Sequence, residues 1–323
     1  MPIQSKLLAV LERAHELKAS DIHFVMKNEK MCIEFRVGAF MVPYEELLIT
    51  QYESLLAYIK FQASLSLMHP KQPQSGLLRL QNQELTYYCR VSILPTQHYQ
   101  SLVLRLINHT HLKQLHEIPY FYRNVAALQQ MATKQAGLLL ISGPTGSGKT
   151  TTTYALIDYL KQELGKSIVT IEDPVEYQQP DIIQMQVNET MGMTYDVGIK
   201  EILRHDPDVI IIGEIRDSQT ARQALRAAFT GHLVISTVHA KNVLGTINRL
   251  LDLGITLQEL EQGVIGVANQ RLIKFDDEQK ALFELCFDDH LDVLFHHLNE
   301  GSPVQPSYLT LDEEFSQCQQ QRA

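Results

Sequence analysis

Gly143-Pro-Thr-Gly-Ser-Gly148-Lys149-Thr150 follows an apolar run at 138–141 and opens a helical stretch. This is the GxxxxGK[ST] spacing in a strand–loop–helix setting, where glycines let successive backbone N–H groups curl around phosphate oxygens. The helix N-terminus adds partial positive charge. Gly143, Pro144, Thr145, Gly146, Ser147, Gly148, Lys149, Thr150 and Thr151 therefore form the expected nucleotide-binding set. In it Lys149 reaches the β- and γ-phosphates of ATP and the Thr150 hydroxyl ligates Mg²⁺.

Phosphoryl chemistry also needs carboxylates at neighbouring strand ends, to hold metal and orient the attacking water. Two stretches supply them. The run Val209-Ile-Ile-Ile ends in Gly213-Glu214-Ile-Arg216-Asp217, with glycine where an aspartate commonly ends such a run. Glu214 is the expected water-orienting or base carboxylate. The second stretch is Ile168-Val-Thr-Ile-Glu172-Asp173-Pro174-Val175-Glu176, where Glu172 is the expected assistant. Both Glu214 and Glu172 are candidate metal-side ligands; a solvated loop acid is the alternative for each. His232 and His239 bracket a third run. Seven strand residues span ~23 Å, too far for one metal ion. The two histidines are therefore expected to act separately, as donors to phosphate or as sensors linking nucleotide to a neighbour.

These groups need a scaffold. Apolar runs at 138–141, 168–171, 209–212 and 233–235 alternate with helical patterns at 150–164, 218–229 and 243–252. That alternation predicts an α/β fold, a parallel sheet covered by helices, over residues 120–273. Upstream, Ile3, Leu7, Leu11 and Ala14 follow helical spacing, and Ile33, Phe35 and Val37 alternate as a strand ended by Gly38. A second helical stripe runs from Tyr52 to Ala63, with β-like stretches at 77–80, 85–93 and 102–107. A smaller α+β domain over 1–110 follows, with a linker at 111–119. Residues 274–323 read as an acidic tail: one peripheral helix through Leu291, Leu294, Phe295 and Leu298, plus a frayed end.

Composition bounds the function. The chain has 323 residues, 45% of them hydrophobic, which excludes a disordered or fibrous protein. No apolar run approaches the ~20 residues of a spanning helix, and the start lacks a signal-peptide pattern. Cys32, Cys89, Cys286 and Cys318 are scattered without a CxxC pair, so no zinc is expected and a reducing cytoplasm fits. Net charge is −9, and residues 275–323 carry 11 acidic against 2 basic residues. No basic footprint is visible, so direct nucleic-acid binding is not expected.

IEDPVEY (171–177), GEIRD (213–217) and TGHLVISTVHAKN (230–242), in that order after GPTGSGKTTT, resemble the type II secretion and type IV pilus ATPases (GspE/PilB/PilT). ASDIHF (19–24) and the 90–106 segment resemble that family's N-terminal PAS-like domain. The resemblance implies a RecA-like P-loop ATPase domain, a homohexameric ring, and ATP-driven motion of one domain against its neighbour. It also assigns Walker A to 143–150, an aspartate box to 172–176, Walker B to Gly213 and Glu214, and a histidine box to 232–239. Arg90 and Arg105 match N-terminal-domain arginines that approach nucleotide, and Arg204 and Arg216 match arginines beside Walker B. Such charge-stabilising arginines are worth ~10³–10⁵ in rate.

Within the family, DPVEY and the 184–217 segment look like the assembly branch. Gln270-Arg271-Leu272 runs on without the four-cysteine zinc module usual there, which makes the chain similar to the competence (ComGA-type) ATPases of Gram-positive bacteria. The resemblance implies a peripheral protein at the cytoplasmic face of the membrane, passing motion to a polytopic platform protein during pilus or pseudopilus assembly for DNA uptake. Tyr99-Gln100 and Ala240-Lys241-Asn242 depart from the family pattern. A PilT-like retraction motor is the nearest alternative, and a nucleotide-dependent switch or scaffold with little turnover is the alternative from another class.

Overall fold

The computed structural model describes residues 2–28, 30–68, 71–82, 85–107, 113–179, 181–275 and 278–321. The chain divides into two compact units, Met1–Thr110 and His111–Ala323. Residues 108–112, where the sequence places the junction, lie outside the described residues.

The first unit is an antiparallel sheet of six strands: β1 (Asp21–Lys27), β2 (Lys30–Val37), β3 (Phe40–Leu47), β4 (Gln74–Gln81), β5 (Thr86–Pro95) and β6 (Gln100–Ile107). Their spatial order is β3-β2-β1-β6-β5-β4. Helices α1 (Ile3–Glu16) and α2 (Ile49–Gln62) supply Leu7, Leu11, Tyr52, Leu55 and Ile59 to a core shared with Phe24, Phe35, Val91 and Leu104. Alternation sends the other side chains to the opposite face. Among them, Arg90 and Arg105 are register partners on β5 and β6, and Arg105 Nε binds Asp21 Oδ1 at 2.8 Å. Strand β3 was not expected. It is an edge strand with Phe40 exposed and Pro43 tolerated because one edge needs no ladder bond, so no apolar alternation marks it.

The second unit is built on β7 (Gly137–Ser142), β8 (Ile168–Glu172), β9 (Ile183–Gln186), β10 (Val209–Ile212), β11 (Leu233–Val238), β12 (Val264–Phe275) and β13 (Glu278–Phe287), in the order β13-β12-β7-β11-β10-β8-β9. Strands β7, β8, β10 and β11 are parallel and buried along their whole length. Helices cover both faces: α3 (Arg123–Ala132), α4 (Lys149–Gln162), α5 (Tyr195–Ile202), α6 (Ser218–Phe229), α7 (Val243–Asp252) and α8 (Leu257–Gly263). This explains the solid Val/Ile/Leu runs, since a strand covered twice has no polar face. Asp217 and Asn242 cap α6 and α7 by accepting the Thr220 and Gly245 N–H groups. The third residue of the AKN departure thus has a local structural task.

Two sequence expectations need correction here. Residues 274–323 are not a frayed tail. β13 pairs antiparallel with β12, so it closes one edge of the main sheet, and Ala281, Leu282, Phe283 and Cys286 are buried. Helix α9 (Asp289–Glu300) joins the core through Leu291, Leu294 and Phe295. Helix α10 (Leu311–Gln320) follows, with Glu314 only 1% exposed. The linker expectation at 111–119 also shortens, because Leu115 and Ile118 are buried in the core that holds α4. Net acidity hid the C-terminal strand and helices: charge says where solvent is, not where a strand ends.

Candidate nucleotide site

Register brings the chemistry together. Val238 on β11 lies opposite Ser142 on β7, so the residues that follow, His239 and Gly143, leave the sheet side by side. Ile212 on β10 is opposite Ser236, which puts Glu214 at the same carboxyl edge. The phosphate loop spans that edge and opens α4 at Lys149. Gly148 is the N-cap with φ +87°, a left-handed conformation that glycine adopts without strain. A side chain at Gly143 would place its Cβ 2.4 Å from Ser147 Oγ and 2.6 Å from the Gln270 carbonyl oxygen, so the tight turn admits only glycine.

Lys149 is nearly buried. Its ammonium donates to the carbonyls of Gly143 at 2.9 Å and Pro144 at 3.2 Å, and stands 3.3 Å from His239 Nδ1. Burial pulls its pKa down, opposed by the negative charge of Glu214. His239 Nε2 is 3.1 Å from Glu214 Oε1, and Arg216 Nε donates to Glu214 Oε2 at 2.9 Å. That bond to Glu214 holds the Arg216 guanidinium above its usual pKa. Asp173 stands 3.8 Å from the same arginine. Lys149, His239, Glu214 and Arg216 thus form one chain of contacts at the mouth of the loop.

Gly213 follows from local crowding. A Cβ there would meet Glu172 Cα at 3.3 Å and the Ile171 carbonyl oxygen at 3.4 Å. The acid therefore comes one residue later. Glu172 takes a different place from the one expected. Its carboxylate is buried and accepts from Tyr154 Oη and Thr170 Oγ1, each at 2.6 Å, with Gln184 Nε2 at 3.4 Å. Tyr154 lies on α4, so the glutamate fastens the phosphate-loop helix to β8. None of its hydrogen-bond partners belongs to the loop itself. Burial raises its pKa despite these three side-chain donors and the Glu176 backbone N–H.

Two other expected residues lie away from the loop in the same subunit. His232 precedes β11, at the amino edge of the sheet beside the start of β7, and its Nδ1 is 3.0 Å from Thr230 Oγ1. Arg204 precedes β10 on the same amino side and binds Glu201 at 3.0 Å. Arg90 and Arg105 belong to the first unit.

The nucleotide fits what is present: a glycine cradle, an open space above Gly146, a helix N-terminus, and a buried Ser147 hydroxyl without a partner. For Mg²⁺, no cluster of three His, Cys, Asp or Glu side chains occurs among the described residues. A hydroxyl and a carboxylate suit that ion, which keeps waters and takes phosphate oxygens as its other ligands. Sequence reasoning passed over Asn269 and Gln270 on β12, both fully buried. Asn269 Nδ2 donates to Ser142 Oγ at 2.8 Å and Gln270 Nε2 to the Ser147 carbonyl at 2.5 Å. Two adjacent amides inside an apolar strand were the available signal.

The model for the family described as type II/IV secretion system protein matches residues 1–320. Competence protein ComGA of Bacillus subtilis (strain 168) is 42% identical over 264 residues, spanning 82% of this chain and 74% of its own. Type II secretion system protein E of Xanthomonas campestris pv. campestris is 37% identical over 276 residues, spanning 84% of this chain and 48% of its own. In structure, the pilus retraction motor PilT with bound ADP aligns over 96% of both chains with a TM-score of 0.74 at 25% identity. No helix among the described residues is long and apolar enough to cross a membrane. With its phosphate loop at the carboxyl edge of a parallel sheet, the chain belongs to the type II/IV secretion system protein family, as a P-loop ATPase of RecA-like fold.

Proposed function

We propose that the chain is the ATP-hydrolysing motor that drives assembly of a competence pseudopilus or type IV pilus for DNA uptake, working as a homohexamer against a polytopic platform protein at the cytoplasmic face of the membrane. The observation that carries the catalytic part is the convergence of Lys149 and Glu214 on His239 at the mouth of the phosphate loop. The competence part is supported by 42% identity to a protein named for competence.

In this reading the loop amides and Lys149 take the β- and γ-phosphates, Lys149 leaving the carbonyls of Gly143 and Pro144 to do so. Thr150 and Glu214 would hold Mg²⁺, which would supply neutralisation of the phosphate charge. Glu214 orients the water and accepts its proton as the water oxygen bonds to the γ-phosphorus and the bond to the ADP oxygen breaks. Arg216 holds Glu214 in place. Glu172 acts through Tyr154 as a positioning residue for α4. Arg90, Arg105, Arg204 and His232 take nucleotide roles only if the first unit or a neighbouring copy brings them to the loop, as a ring allows. A retraction motor is the second reading, favoured by the 96% mutual coverage with PilT.

The test is phosphate release per protomer across a wide protein concentration range, with Lys149→Ala as blank. Specific activity that climbs with concentration supports sites completed between subunits. Flat, substantial activity removes the ring and its arginine assignments. Activity equal to the blank favours the switch or scaffold reading.

A further inference from the structure

Gln270 is fully buried on β12, directly beneath the phosphate loop. Its Nε2 donates to the Ser147 carbonyl at 2.5 Å, while its Oε1 has no partner. A flipped amide would set oxygen against oxygen at Ser147, so the carbonyl fixes which way the group points. Leu272 and the Gln270 amide both crowd the underside of Gly148, within 3.1–3.3 Å of where a Cβ would stand. A buried acceptor without a donor is destabilising, and an apolar residue would serve the core better. The donor half of the amide therefore carries the requirement.

What that donor does follows from peptide geometry. Among the described residues the one cis peptide is Asp173–Pro174, so the Ser147–Gly148 bond is trans. In a trans peptide the C=O and the following N–H point in opposite directions. Holding the Ser147 oxygen down toward β12 turns the Gly148 N–H up, into the concavity of the loop. Asn269 steadies the same strand against the other side of the site, donating to Ser142 Oγ, which also accepts from Thr246 Oγ1 at 2.7 Å.

We propose that Gln270 is a positioning residue for phosphate binding: it presets the Gly148 N–H for a phosphate oxygen before nucleotide arrives. The proposal rests on the nucleotide site described above.

The test compares Gln270→Met, which keeps the volume and loses the donor, with Gln270→Glu, which sets a carboxylate oxygen against the Ser147 carbonyl. Binding of fluorescent ATP and ADP is titrated in the presence of Mg²⁺, with melting temperature measured alongside. Expected are Kd values for both nucleotides raised severalfold in the methionine variant and about tenfold or more in the glutamate variant. KM should rise in step. A purely structural residue would lower the melting temperature and the fraction of active protein while the remaining folded molecules bound with unchanged Kd; that result overturns the assignment. Wild type binding no better than Lys149→Ala would remove the nucleotide site itself, and this proposal with it. Should neither variant fold, hydrogen exchange at the Gly148 amide of the wild type decides: it slows on addition of Mg·ADP if the N–H meets phosphate, and an unchanged rate overturns the proposal.

Discussion

Glu214 Oε1 lies 3.1 Å from His239 Nε2. The other nitrogen of that ring stands 3.3 Å from the Lys149 ammonium. An ammonium only donates, so the tautomer that joins both contacts accepts at Nδ1 and turns its Nε2 proton toward the carboxylate. One tautomer therefore connects the phosphate-loop lysine to the strand-end acid. In the proposed mechanism, a triphosphate that draws Lys149 away from this ring changes what holds Glu214, a direct route from nucleotide occupancy to the carboxylate assigned to the water.

Replacing the ring should uncouple the two. In His239→Ala, Glu214 keeps Arg216 but loses the donor on its other oxygen. Misplacement of this kind costs on the order of 10²-fold in turnover, with nucleotide Kd changed far less. Phosphate release at saturating ATP, paired with fluorescent nucleotide titration, separates the two quantities. A variant at full speed would show that the contact does nothing in turnover.

Glu214→Gln keeps the shape and removes the proton acceptor. Loss of a positioned base typically lowers kcat by about 10²–10⁴, and the loop that binds ATP is untouched. The expected signature is tight binding with almost no release of phosphate. Lys149→Ala should give the reverse pattern, with binding lost first. Wild-type rates in Glu214→Gln would move the base elsewhere, Asp173 being the next carboxylate in reach of Arg216.

The parallel core and the phosphate loop were legible because each is a local pattern. Solid apolar runs announce strands covered on both sides, and GxxxxGKT fixes a turn and a helix start within eight residues. The supports were not legible, because they are made by register. Nothing in the sequence near Ser147 points to Gln270, 123 residues later, and nothing near Glu172 says that Tyr154 will claim its carboxylate. The two histidines lie at opposite ends of β11, His232 before it and His239 after it. Which of them meets the loop depends on the parallel pairing of β11 with β7. The acidic tail misled for the opposite reason, since its exposed acids share a strand and two helices with residues that are wholly buried.

Glu172 offers a test by pH and by metal. Burial holds its carboxyl above the ordinary value of 4.5, so in that range the folded protein binds the proton more tightly than the unfolded chain. Stability contributed at this site is therefore greatest below about 4.5 and falls as pH rises toward the folded value. Glu172→Gln cannot ionise and escapes that fall. The melting-temperature difference, variant minus wild type, should shift in the variant's favour as pH increases from about 4.5. Because the carboxylate faces Tyr154 and Thr170, the Mg²⁺ concentration giving half-maximal activity should stay within about twofold of wild type. A large increase would place Glu172 on the metal.

The C-terminal segment provides the sharpest contrast between acidity and architecture. Glu314 accepts from Asn124 Nδ2 at 2.9 Å, the Phe283 N–H at 2.8 Å and Arg123 Nη2 at 3.1 Å, and so bolts α10 to α3 and β13 together. Glu314→Ala strands two buried donors and one cation. Breaking a buried charged contact of this kind costs about 3–5 kcal/mol, on the order of 10 °C in melting temperature for a unit of this size. Asp312→Asn, two residues away with a side chain 92% exposed, should shift it by no more than about 1 °C, since exposed pairs are worth little. A solvated tail would answer both substitutions alike. The strand pairing predicts that only the first is felt, and that it is felt at the β13 edge, where backbone amide exchange should rise at Phe283 before it does on β7 or β11.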